Sequence, residues 1–158
     1  MTYLLLKFLH VIGAAVLLGT GAGIAFFMLR AHRTGDARVI AGVAKIVVLA
    51  DFLFTATAVV AQPITGVLLA QEAGFALSEP WIVASVGLYV FTGLFWLPVV
   101  SMQMRMRALA EAAATGDGVL PGAYHRLFWT WFAFGFPAFA AVLCIFWLMI
   151  AKPMLWGA

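Results

Sequence analysis

Residues 3–30 read YLLLKFLHVIGAAVLLGTGAGIAFFMLR, a run longer than the roughly 20 apolar residues that carry a helix across a hydrocarbon core. Three more such stretches follow, at about 39–70, 81–113 and 124–152. In lipid a chain must satisfy its own peptide groups, so segments of this length read as helices. The fold class that follows is all-α: one domain over residues 1–158, a four-helix transmembrane bundle.

Composition agrees, with 66% hydrophobic and 9% charged residues and a mean hydropathy of +1.11. A soluble domain carries about a quarter charged residues. The chain leaves no room for a separate soluble catalytic domain, and the contact it predicts is the lipid bilayer. Its net charge of +3 reports loop charges that set topology, so nucleic acid is not implied. Lys7 ahead of the first apolar run resembles a signal peptide, but the run is too long for an h-region and no small-x-small site closes it. A retained helix is expected. The single cysteine, Cys144, forms no intrachain disulfide.

Loop charges give the orientation. Arg30, Arg33, Arg38, Lys45, Arg105, Arg107 and Arg126 flank the first and third connections, against Lys7 and Lys152 on the other side. Seven against two by the positive-inside rule predicts both termini outside. Within the second segment Pro63 leaves the carbonyl of Val59 without its helical donor, and a kink is expected there.

Polar groups inside these segments are costly and mark function. His10 is the first, one turn after Lys7. It reads as a histidine bonded to a neighbouring helix, as a cofactor or metal ligand, or as a proton carrier. In the second segment Asp51, Thr55, Ala58, Gln62 and Thr65 recur at helical spacing, and in the third Ser85, Tyr89, Thr92, Trp96 and Gln103 do the same. Both stripes should face the interior, opposite a wall of Trp129, Phe132, Phe136, Phe139 and Leu143 that suits a flat ligand. At about 1.5 Å rise per residue, His10, Gln62, Ser85 and Tyr89 reach a similar depth and are candidates for one shared cofactor-binding pocket. Asp51, nearer the midplane, is the proton-relay candidate, unless an internal hydrogen bond or Lys45 satisfies it.

Other signals are weaker. Of Met102, Met104 and Met106 only the first and last share a face, which favours core packing. His125, at the cytoplasmic start of the fourth helix, lies too far from His10 to join it, His32 falls in a loop, and Cys144 with one imidazole makes a thin metal site. Ala15, Gly19 and Gly23 form a small-residue face suited to helix contact, including a homo-oligomer.

The stretches LKFLHVIGAA, QPITGVLL, EPWIVASVGLYVFTGLFWLPVVSMQMRMRALA and FWLMIAKP resemble the bacterial integral-membrane family called domain of unknown function 2269, which implies a multi-pass protein of the bacterial inner membrane. More distantly, Lys7-x-x-His10, Pro63 with Gly66, and Trp81 resemble HemJ-type protoporphyrinogen oxidases and CopD copper-resistance membrane domains. That likeness implies a haem-binding or metal-handling bundle, with haem b as the cofactor and His10 as axial ligand. Where HemJ-like proteins carry a lysine after the third-helix tryptophan, Ser85 stands here, so a second axial ligand is missing.

The leading expectation is therefore an interior pocket binding haem or a similar flat redox ligand. A small proton-coupled transporter or channel component using Asp51, Gln62 and Tyr89 is the alternative, and a structural subunit of a membrane complex is a third. The topology is directly testable. In a Cys144→Ser background, Glu79→Cys should react with an impermeant maleimide in intact cells, and Asp117→Cys only after the membrane is opened; the reverse pattern refutes the orientation.

Overall fold

The computed structural model describes residues 1–156 and contains helices only among them. Helix α1 spans Thr2–His32, α2 Ala37–Ala50, α3 Ala56–Glu72, α4 Pro80–Thr115 and α5 Gly122–Ala151. A π-helical turn, Asp51–Thr55, joins α2 to α3 without a break, so Ala37–Glu72 crosses as one rod. The four rods are each long and apolar enough to span a membrane.

Local chemistry sets the ends. The Asp36 carboxylate accepts the Arg38 backbone N–H at 2.8 Å and caps α2. Pro80 opens α4 at a position where its missing N–H is harmless. Helix α5 stops at Lys152, whose left-handed backbone (φ 44°) is followed by Pro153. His32, expected in a loop, is the last residue of α1. The second rod runs from 37 to 72 rather than 39 to 70 and is not uniformly α-helical. Its π turn was not legible because hydrophobic periodicity reports faces, not an extra residue in one turn.

Packing is uneven along the membrane normal. At the end bearing the arginines, α1, α2, α4 and α5 close on a solid core that includes Ile24, Met28, Ile40, Val47, Met102, Met106, Tyr124, Phe128 and Trp131. His32 stacks on Phe128 there, with ring centroids 3.7 Å apart and planes 7° off parallel. Met104, on the other face, is exposed. At the end bearing the termini a smaller cluster of Ala70, Trp81 and Ile82, with Phe75 and Met149 against it, ties α3, α4 and α5 together. The Lys152 ammonium caps this cluster, 4.4 Å from the Phe75 ring centroid and 5.6 Å from that of Trp81.

Lipid tails are as apolar as leucine, so the core gains its stability from close contact rather than transfer out of water. Emptying it should still be expensive. Phe128→Ala is expected to lower unfolding stability in detergent by about 3 kcal/mol, whereas Phe26→Ala, on the exposed face of α1, should change it little.

Candidate functional site

Between the two clusters lies a cavity of about 710 Å³ bordered by α1, the second rod, α4 and α5. Its walls are almost entirely apolar. Phe132, Phe136 and Phe139 of the expected aromatic wall line it, while Trp129 and Leu143 do not. Glycines widen it: a Cβ added at Gly21, Gly93 or Gly135, all on its border, would meet nothing within 4 Å. Several bordering residues, among them Gly21, Leu94, Leu97 and Phe136, remain accessible from outside. The hollow therefore opens on the flank of the bundle, at a level where the flank is lipid.

The polar end of the cavity is built on the π turn. Asp51 and Thr55, four residues apart at its two ends, both border the cavity, and both are buried, at 4% and 8% exposure. Thr57 helps hold the wide turn by donating its hydroxyl to the carbonyls of Leu53 at 2.6 Å and Phe54 at 3.0 Å. Across the bundle, Trp96 Nε1 donates to Asp51 Oδ1 at 3.4 Å. Hydrogen bonding orients the Gln103 amide so that it donates to Asp51 Oδ2 at 3.1 Å and accepts from Trp131 Nε1 at 3.3 Å. Asp51 is thus tied to α4 directly and to α5 through Gln103. Lys45 plays no part in this network. The Thr55 hydroxyl, by contrast, makes no close hydrogen bond.

A second polar group sits farther along. Pro63 has no N–H for the Val59 carbonyl, and the Tyr89 hydroxyl of α4 donates to that carbonyl instead. Gln62 borders the cavity and donates its amide to the backbone oxygen of His10 at 2.8 Å. Gly13 makes room for this amide, since a Cβ there would run into Gln62 Nε2.

The structure divides the four residues expected to share a pocket. Gln62 and Tyr89 border the cavity; His10 and Ser85 do not. His10 lies in the α1–α3 seam, its Nδ1 2.9 Å from the Thr65 hydroxyl, its ring so close to Gly66 that an added Cβ would stand 3.2 Å from Cε1. Ser85 donates to the Trp81 carbonyl of its own helix at 2.7 Å and turns away from the hollow. Equal depth did not bring them together because helical phase sends His10 toward α3 and not toward the centre. The Nδ1 bond fixes the ring in this seam and not on the cavity wall, and among the described residues no three His, Cys, Asp or Glu side chains cluster. Gln103 stood in the α4 stripe but without a role, and Trp131 was missed altogether; a tryptophan needing a partner for its N–H at the Asp51 depth was the available signal.

The Ala15 and Gly19 face of α1 is exposed, with no helix of this chain against Gly19.

Two substitutions probe these bonds. Tyr89→Phe leaves the Val59 carbonyl without a donor and should lower stability by about 1–3 kcal/mol. Gln103→Leu strands both the Asp51 oxygen and the Trp131 N–H, and should cost about 1–3 kcal/mol, read as a lower unfolding midpoint in detergent.

Against known proteins, the model of one family matches residues 4–153, and that family is described as predicted integral membrane protein (DUF2269). No curated protein and no solved structure matches the chain.

Proposed function

The chain belongs to this family of predicted integral membrane proteins, and we propose that it is an intramembrane binding protein that takes a flat, lipid-soluble ligand into the hollow of its bundle. The observation that carries this reading is the cavity of about 710 Å³, walled by aromatic and small side chains and lying between the two packed clusters. That size falls within the roughly 300–1,000 Å³ of small-molecule sites, where an apolar wall with a few convergent polar groups is the usual design. Here Gln62, Tyr89 and the Asp51 cluster are the polar groups. The ligand enters from the bilayer, since the accessible wall residues lie within the spans. This reading keeps the interior pocket and the flat ligand, without ligation by His10.

A neutral tricyclic probe tests it. Acridine, uncharged at mildly alkaline pH, should quench the tryptophan emission of the purified protein saturably. Gly93→Leu and Gly135→Leu grow side chains into open space, so each should weaken quenching by about tenfold, the effect of losing roughly 1.4 kcal/mol of binding, with unfolding midpoints unchanged. Equal quenching in wild type and both variants rules the reading out.

A proton-coupled transporter is the second reading, favoured by one observation: the carboxyl bordering the cavity sits on a π turn, a local structure frequent at functional sites. It requires a pH-dependent flux in proteoliposomes that Asp51→Asn abolishes and His10→Ala spares. Flux that survives Asp51→Asn dismisses it.

A further inference from the structure

Asp51 is a buried carboxyl with no cationic side chain paired to it. No Lys, Arg or His borders the cavity, and the one ion pair among the described residues, Arg107 with Glu111, is elsewhere on α4. Both Asp51 oxygens serve as acceptors, one from the Trp96 indole and one from the Gln103 amide, so donors for a carboxylate are in place. Neutral N–H donors disperse a carboxylate's charge but do not cancel it, and a cation in the hollow is what would stabilise the ionised form in apolar surroundings.

The surroundings favour one kind of visitor. Trp96 and Trp131, whose N–H groups face the Asp51 cluster, also border the cavity with Phe132, and aromatic faces attract cations most strongly where water is excluded. Beside them the Thr55 hydroxyl, 8% exposed and on the cavity border, lies near the Asp51 carboxyl and makes no close hydrogen bond. A carboxyl, two indoles and a hydroxyl at one end of an apolar hollow make up the recognition chemistry for a positive charge carried on a flat apolar body.

We propose that the ligand of this cavity is a lipid-soluble organic cation, its charge set against Asp51 between Trp96 and Trp131 and its ring system along the α5 wall. The inference rests on the cavity being a ligand site, as above, and adds the sign of the ligand's charge. Neutral flat molecules fit the same space but supply no charge to stabilise an Asp51 carboxylate.

The test compares two probes of nearly equal shape, 10-methylacridinium, a permanent cation, and acridine at mildly alkaline pH, by equilibrium dialysis against the full chain in neutral detergent. The cation should bind about tenfold or more tightly than the neutral probe, and Asp51→Asn should erase that preference. Trp131→Phe should reduce the preference in part, since phenylalanine keeps a weaker aromatic face. Equal affinities for the two probes in wild type overturn the charge assignment and leave the cavity reading standing, whether or not the Asp51 variant folds. A cation preference that persists in Asp51→Asn overturns it as well. Binding of neither probe removes both readings.

Discussion

A peptide carbonyl or N–H left bare in hydrocarbon costs several kcal/mol, and the internal organisation of this bundle answers that penalty. Pro63 creates one bare carbonyl, at Val59, and the answer comes from another helix, as the Tyr89 hydroxyl. The π turn makes a second local disturbance, partly mended by Thr57. Each repair places a polar side chain at a defined depth: Tyr89 on the border of the hollow and Thr57 on the outer face of the rod. The irregular backbone of the second rod and the cavity are therefore one feature: departures from the α-helix are tolerated where they face protein or a cavity and not acyl chains.

The same penalty applied to side chains decides which helices meet. Asp51 draws Trp96 from α4 and, by way of Gln103, Trp131 from α5. His10 draws Thr65 and lends its carbonyl to Gln62. In the half of the bundle bearing the termini the most extensive contacts are α1 with α3 and α4 with α5, bridged by the Trp81 cluster and the Tyr89 hydroxyl, while in the other half all four rods share one core. Space between the two pairs is the natural result.

Much of this was legible in the amino-acid sequence. Apolar run lengths gave four spans, and the spacing of Asp51, Thr55, Ala58, Gln62 and Thr65 gave a buried face; the first four are buried and Thr65 is half-buried. Pro63 identified the Val59 carbonyl as an orphan, though not its rescuer. Two things were hidden for physical reasons. A π turn changes the angular phase of everything after it yet keeps the hydrophobic pattern, so the relation between Asp51 and Gln62 could not be read from one helical wheel. The partner of a histidine depends on the azimuth of its helix, which sequence spacing leaves free, and His10 accordingly turned toward Thr65 and away from Ser85 and Tyr89.

The sideways mouth, bordered by Gly21, Leu94 and Phe136, has a thermodynamic corollary. A solute reaching the hollow through acyl chains arrives at its mole fraction in the membrane, not at its molarity in buffer. Occupancy is then governed by partitioning, so an apparent dissociation constant expressed in aqueous units shifts with the amount and nature of surrounding amphiphile, even when every contact inside the protein is identical.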